Sequence, residues 1–574
     1  MKDAVTSNAP QLLFRPLVID VVAMDKNEAV GTIRARSQSR ADELIQWLRA
    51  YAEERINSRL MDERRCITPH ILLDFGNHGL MGLEVPLEHG GLALRTGDFL
   101  RVLEQLSAID LTLALFVGNH NALGIRPIQY YAASATRDAL LPTLASGREL
   151  AAFALTERCA GSNPKAMASV GVPDRAGGWR LRGTKIWSGS AAWAGAICTF
   201  VKLMRENGRP AGVTGFVVRQ GTPGLRQGPE AMTMGMRGMV QNEVRLKDVA
   251  VDETNLLGQP GQGFLVAQDA MLHARLAIGA ACVGAMKRSI QLMHRYAARR
   301  PIATGLLLDN PVTRARLESL VLASTAVETL VYRIAALIDA GHSIPPEVYA
   351  ACKTTGPEYL WQAADALVQT LGGRGYMEPN AAPQLVRDAR VLRIFEGPTE
   401  TMHTFIGSTL IHNDGALHTF IAEALGAPAV ADALRADAAE IMASCRRTAG
   451  LRSHDRDQAL YWACFCAGQI GSAGILLAAL QGAAAVSPCD PHLKAAISWA
   501  RGEYEATRER VLLVPPTASP FAADDGIAEL LARFKGAIGE VEQRLPGVED
   551  AVDPLLLVHG PVEDVGENQR ISHE

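Results

Sequence analysis

With 574 residues the chain has material for roughly three or four domains with cores of their own. Lys and Arg total 57 against 61 Asp and Glu, a net charge of −4 with no long run of one sign, which argues against nucleic acid and for a small-molecule partner. Nine cysteines lie scattered without a CxxC pair, Cys464 and Cys466 being the nearest, so no metal site and no disulfide framework is expected, and the thiols read as reduced in a cytoplasmic protein.

Residues 1–38 read as an N-terminal leader. Within it "LLFRPLVIDVVAMD" is apolar but broken by Arg15, Pro16 and Asp20, and no small-residue cleavage site follows, so no export signal is expected. From 39 to 150 apolar residues recur at helical spacing, as in "ADELIQWLRAYAEERI" and "RTGDFLRVLEQLSAIDLTLALFVGNHNALG", which predicts a helical domain. The pattern then changes to short β-rich runs, "AAFALT", "WRLRGTKIW", "ICTFVKL", "GVTGFVVRQ" and "NEVRLKDVAV", divided by Gly, Pro and Asp turns, so 151–256 should form a small β-domain. Helical spacing returns over 257–415, predicting a helical bundle.

Residues 416–574 read as an Ala-rich helical extension, interrupted at "SPCDP" and "VPPTASP", with a polar, frayed end after Pro561. Its segments "AVADALRADAAEIMASCRRTAGL" and "GIAELLARFKGAIGEVEQRL" carry apolar faces that something must cover. Between them "QALYWACFCAGQIGSAGILLAALQGAAAV", Gln458 to Val486, is uncharged and long enough to cross a bilayer. Its glutamines, its many Gly and Ala residues and the lack of flanking Lys or Arg clusters favour a buried bundle helix, so no stable membrane span is expected.

Near the end of the second helical domain stands "RIFEGPTE", a carboxylate between apolar residues and a Gly-Pro turn. Glu396 and Thr399 could simply cap a helix starting near Glu400. Alternatively, a carboxylate held against apolar neighbours is poorly solvated when charged, which raises its pKa and makes it a usable base.

Taken in order, "FALTERCAGS" (Phe153 to Ser162), "KIWSGS", "GMRGM", "LVQTLGGRGY" and "RDARVLRIFEGPTE" resemble five motifs of the acyl-CoA dehydrogenase family, over about residues 40 to 412. The resemblance implies a mainly α fold: an N-terminal helical domain, a central β-barrel-like domain and a C-terminal four-helix bundle, here with a helical extension. It implies FAD as cofactor and the α,β-dehydrogenation of a saturated acyl thioester. Glu396 would abstract the α proton, flavin N5 would accept the β hydride, and the Glu396 N–H with a flavin ribityl hydroxyl would hold the thioester oxygen.

By the same resemblance Phe153, Leu155, Thr156 and Ser162 contact the flavin, as do Trp187, Ser188, Gly189 and Ser190. Gln369, Leu371, Gly372 and Gly373 belong to a loop that approaches the pyrophosphate, although the glycines could equally cap the preceding helix. Thr399 and Glu400 complete the cofactor set; Arg300 reaches the FAD of the neighbouring subunit in a homodimer; Ser162, Arg275 and Gly397 meet the substrate. His273 reads as structural.

Several positions depart from the family pattern. Ala274 stands where some relatives carry an alternative catalytic glutamate, leaving Glu396 alone. Gly189 replaces a flavin-facing Thr, Arg158 and Cys159 replace Pro and Gly, and Leu272 replaces an Asp near the acyl or pantetheine chain. "ERINSRLMDERRCITPHILLDFGNHGLMG" and "ACKTTGPEYLWQAADALVQTLGGRGY" are similar to dehydrogenases that accompany fatty acyl-AMP ligases and acyl carrier proteins in polyketide and lipopeptide assembly. The implied partners are therefore an acyl thioester on carrier protein or CoA and an electron acceptor, for which electron-transfer flavoprotein is one candidate. An acyl-CoA oxidase and a flavin-free thioester-binding scaffold are the alternative readings. The extension is expected to occupy the flank where compact members form tetramers, leaving a homodimer.

Overall fold

The computed structural model describes residues 26–412, 415–448, 453–513 and 525–539. Its first helices are α1 (Lys26–Arg55), α2 (Ser58–Arg64), α3 (Pro69–Asn77), α4 (Thr96–Ile109), α5 (Leu111–Gly118), α6 (Arg126–Tyr131) and α7 (Ser134–Ala145). Helix α1 corrects the leader boundary: it runs on well before residue 39, because Ser37 is buried and donates to Asp98 at 2.6 Å, one helical repeat ahead of buried Ala41, Leu44 and Leu48. Residues 1–25 of that leader lie outside the described residues. Between α5 and α6 the chain passes through a π-helical turn, Asn119–Ile125. The extra residue per turn is a distortion that recurs at functional sites.

The β-rich stretch forms β1 (Leu150–Ala154), β2 (Val170–Pro173), β3 (Trp179–Gly189), β4 (Ala194–Met204), β5 (Pro210–Arg219), β6 (Leu225–Glu230), β7 (Gln241–Val251) and β8 (Leu256–Leu257). They make one mixed sheet in the order β6-β7-β3-β2-β4-β5-β8, with β1 added parallel to β4. The pairing path ends at β6 and β8. Strands β2, β6 and β8 were not legible in the sequence, being short and punctuated by Gly and Pro. Gly171 in β2 is there for packing: a Cβ would stand 2.8 Å from the Leu203 side chain. One face of the sheet packs on α6 and α7 through Phe200, Val217, Ile128 and Leu141.

The second helical domain contains α8 (Gly263–Ala297), α9 (Pro311–Asp339), α10 (Pro346–Leu371), α11 (Ala381–Val391) and α12 (Thr399–His412). Helices α8 and α10 approach closely where small residues meet; a Cβ on Gly356 would stand 3.3 Å from Cys282 Cβ. One carboxylate joins the three domains. Asp388 of α11 accepts from Met236 N in the β-domain at 2.6 Å and from Thr112 Oγ1 of α5 at 3.2 Å. Burial, with the charge of Asp110 nearby, pushes its pKa up to about 7.

The extension comprises α13 (Ala416–Thr419), a π-helical turn over Phe420–Ala424, α14 (Pro428–Thr448), α15 (Ser453–Val486), α16 (Pro491–Leu513) and α17 (Asp525–Ile538). Helix α15 contains the uncharged stretch and packs against α9, α10, α12, α14 and α16. Its apolar length is mostly buried inside the protein, so composition alone had made it look like a span. Helix α9 passes the same length and hydropathy test half-buried, a second such helix that the sequence reading did not single out. Helix α17 departs from the expectation of a covered face: Leu530, Leu531, Phe534 and Ile538 are exposed. "VPPTASP" and the end after Pro561 lie outside the described residues.

Glycine makes the α12–α15 contact possible. A Cβ on Gly468 would fall 1.6 Å from His403 O, and one on Gly407 would fall 1.8 Å from Cys464 O. Replacing Gly468 with Leu should therefore wedge the extension off α12, destabilise the protein by about 3 kcal/mol and expose α15 to limited proteolysis. Chemical denaturation and protease mapping of the variant check this.

Candidate active site

Helices α11 and α12 are joined by a turn, residues 392–398, and its backbone is unusual. Glu396 adopts φ +55 and Gly397 φ +100. The glycine does so freely, whereas the glutamate is held in a region that L side chains disfavour, a strain of the kind that persists only where surrounding contacts over-determine it. Those contacts come from two cations. Arg275 Nε of α8 donates to Glu396 O at 3.0 Å, and Lys353 Nζ of α10 donates to Leu392 O at 2.5 Å and Gly397 O at 3.3 Å. Among the described residues nothing accepts from the Glu396 N–H.

The Glu396 carboxylate has its Oε2 shut off from solvent and without a partner. Burial raises its pKa above the ordinary carboxylate value, partly opposed by the charges of Arg275 and Lys353. Neither cation is ion-paired to it among the described residues. Thr399 does not cap the helix through its hydroxyl, which donates to Glu358 Oε1 at 2.8 Å, an oxygen shared with Arg393 Nε at 2.7 Å. Glu400 is exposed.

Beside Arg275, Ala274 belongs to a small apolar cluster with Ala270, Ala122 and Leu123, against which Phe153 packs. The residue next to Arg275 on α8 thus packs against the π-helical turn and β1. His273 is structural, facing Glu84 Oε2 at 2.5 Å and stacked on Phe99 with centroids 5.3 Å apart.

The end of β3 carries a second group of predicted residues. Register shifts between Lys185 and Ser188 in its pairing with β7, and Trp187 (φ +54) turns its indole out, 64% exposed. Ser188 and Ser190 are buried, with hydroxyl oxygens that lack a partner, and Ser190 adopts φ +58. A buried ion pair ties this segment to the one after β1: Lys185 Nζ meets Glu157 Oε1 at 2.6 Å and also donates to Leu155 O at 3.3 Å, while Ile186 N donates to Thr156 O at 2.9 Å. Glu157 also accepts from Ala168 N and Ser169 N. Phe153, Leu155, Thr156, Trp187, Ser188, Gly189 and Ser190 are thus brought together, with Ser162 exposed at the far end of the first segment.

The remaining predicted residues lie elsewhere. Gly372 (φ +58) caps α10, Gln369 and Gly373 are exposed and Leu371 is buried; nothing lies within 4 Å of a Cβ on either glycine. This end of α10 is about 25 Å along the helix from Lys353. Arg300, exposed beyond the end of α8, is about 35 Å along it from Arg275. Sequence reasoning missed Lys353, Glu157, Lys185 and Asn119. A lysine inside the small-residue helix "ACKTTGP" was a visible signal, whereas nothing in the sequence marked Asn119.

Asn119 Nδ2 donates to Gly189 O at 3.4 Å, and a Cβ on Gly189 would lie 2.9 Å from that same nitrogen. The asparagine amide thus fills the room in which a side chain at position 189 would stand.

Three family models match the chain: acyl-CoA dehydrogenase N-terminal domain over 39–148, middle domain over 152–249 and C-terminal domain over 261–411. The mitochondrial very long-chain specific acyl-CoA dehydrogenase of Macaca fascicularis is 30% identical over 370 residues, covering 63% of this chain and 56% of that protein. An acyl-CoA dehydrogenase of Bacillus subtilis (strain 168) is 29% identical over 341 residues, 59% of this chain and 89% of its own. The chain spans about half the length of the mammalian relatives it matches. Among solved structures, the acyl-CoA dehydrogenase of Bacillus anthracis complexed with FAD superposes with a TM-score of 0.67 at 21% identity, over 89% of this chain and 91% of that one. The prolyl acyl carrier protein oxidase AnaB gives 0.61 at 22%, over 66% and 99%. At these identities both show the fold alone.

Gly189→Thr should cost about 1–2 kcal/mol by driving the new side chain into the Asn119 amide, and the Asn119→Ala/Gly189→Thr double variant should recover most of that loss. Denaturant titration of the four proteins in the cycle measures the coupling.

Proposed function

The chain belongs to the acyl-CoA dehydrogenase family, and from that premise we propose that it is an FAD-dependent dehydrogenase converting a saturated acyl thioester into the 2-enoyl thioester. The observation that carries the reading is Glu396: a carboxylate with one oxygen out of water, a raised pKa and no ion-pair partner among the described residues. Such a group accepts a proton from carbon because its charged form is poorly stabilised in the resting site.

The β-domain edge fits the cofactor. Ser188 and Ser190 hold buried hydroxyl oxygens that lack partners, Trp187 presents an exposed indole, and both segments are pinned by the Lys185–Glu157 pair. When bound, FAD supplies the acceptor for the hydrogen that leaves the β carbon with its electron pair. The protein's own share is the other half. Glu396 Oε2 receives the α proton as the C–H bond breaks, and the Glu396 N–H, without an acceptor among the described residues, would donate to the thioester oxygen on which charge develops. Arg275 fixes the peptide that follows.

The tether is read as acyl carrier protein in preference to CoA, because half-buried Leu272 on α8 replaces an Asp near the pantetheine path and because of the assembly-line resemblance. In the same reading the protein is a homodimer. Arg300 and the Gly372–Gly373 loop, remote from Glu396 in one chain, would serve the partner's cofactor, and the extension covers the α10–α12 flank.

Glu396→Gln should keep fold and flavin content while slowing flavin reduction by at least ~10²-fold, since the amide preserves shape and removes basicity. Stopped-flow reduction decides it, and a variant as fast as wild type would remove Glu396 from its role. Turnover of one saturated acyl group should be faster on carrier protein than on CoA; equal or faster turnover on CoA assigns the protein to free acyl-CoA.

A further inference from the structure

Two lysines among the described residues are fully buried, and they are held differently. Lys185 faces a carboxylate at 2.6 Å, so its charge is balanced where it lies. Lys353 has no carboxylate within ion-pair distance among the described residues; its Nζ instead donates to Leu392 O and Gly397 O. An ammonium removed from both water and counter-ion is costly to keep, and a position needing only volume would be filled more stably by methionine.

The two acceptors explain what the charge does. Leu392 and Gly397 stand on opposite arms of the turn, and between them lie Phe395, its ring centroid 5.9 Å from Nζ, and Glu396 at φ +55. We propose that Lys353 is a positioning residue for Glu396: its ammonium ties the two arms together and holds the base in a left-handed conformation that its own backbone disfavours. This rests on reading Glu396 as the base.

The lysine also acts through its charge. Its electrostatic neighbours are Cys282 and Arg275 on α8, Glu396 on the turn and Glu358 on its own helix. Glu358 is already engaged with Arg393 and Thr399, and burial pushes the Cys282 thiol up so that it stays neutral. Glu396 is the carboxylate left to balance two buried cations, and each of them lowers its proton affinity. Burial lowers Lys353 itself to about 8, so the ammonium persists at neutral pH and is lost above it.

The test is flavin reduction against pH in wild-type holoprotein, Lys353→Met, Lys353→Gln and Glu396→Gln, with the best saturated acyl thioester found for the wild type. Lys353→Met should retain flavin and a cooperative melt, with KM little changed and reduction at saturation slower by about tenfold or more. Its acidic limb should move up by about one pH unit, because removing a positive neighbour makes Glu396 easier to protonate. Lys353→Gln, which keeps a donor and loses the charge, should show the same limb with a smaller loss of rate. An unchanged rate and an unmoved limb in either variant overturns the proposal. Should neither variant fold, the wild type answers alone: its rate should fall as pH passes about 8, and a rate level through that range is the contrary result. Glu396→Gln separates the two ideas. If it reduces flavin normally, the base assignment fails; if it is slow while Lys353→Met is normal, only the positioning role fails.

Discussion

The site depends on keeping one carboxylate out of water without letting it settle into an ion pair. A buried Glu beside a guanidinium and an ammonium would ordinarily pair with them, and its proton affinity would fall below the ordinary carboxylate range. Here both cations are directed to main-chain oxygens instead, Arg275 to Glu396 O and Lys353 to Leu392 O and Gly397 O. Their charges still reach the carboxylate through space and moderate its raised pKa, while their hydrogen bonds go to holding the turn. The result is a carboxylate that is desolvated, held by its turn and without an ion pair among the described residues.

Such a turn needs firm anchors, since strain at Glu396 would relax if either flanking helix could shift. Helix α11 is anchored by Asp388, which accepts from both the β-domain and the first helical domain. Arg387 beside it binds Asp62 and Glu378. Helix α12 is anchored by the extension through the Gly407 and Gly468 contacts, where backbones touch because neither residue has a side chain. The extension therefore bears on the site without reaching it. It braces the helix that leaves the Glu396 turn.

The end of β3 repeats the same strategy with other parts. Trp187 and Ser190 both take positive φ, and the strain is held by the Lys185–Glu157 pair on one side and the Ser190–Val240 backbone bond on the other. Of the seven non-glycine residues with positive φ among the described residues, Trp187, Ser190 and Glu396 fall on the candidate segments, while Arg65, Ala93, Met236 and Asp248 lie elsewhere. Backbone distortion at such positions is expected where side-chain direction matters more than local stability.

How much of this could be read in advance depended on range. Local signals carried the mainly α fold and the β-rich insertion, and they picked out "RIFEGPTE", "FALTERCAGS" and "KIWSGS" as candidate segments, because period, turn residues and motif spacing are properties of neighbours along the chain. The buried character of α15 was legible for the same reason, whereas the exposure of α17 was not, since an apolar face does not name its cover. Strands β2, β6 and β8 escaped because Gly and Pro mask short strands whose existence is decided by pairing. The left-handed backbone of Glu396, the use of Lys353 as a clamp with no counter-ion, and the Asn119 amide in the space beside Gly189 were invisible for a different reason. Each depends on residues separated by 39 positions or more, and whether a lysine meets a carboxylate or a carbonyl is settled only when helices pack. The sequence by itself determined which residue types and elements were present; the tertiary structure decided which charges were paired, because pairing depends on distance in space and on exclusion of water, neither of which a linear pattern encodes.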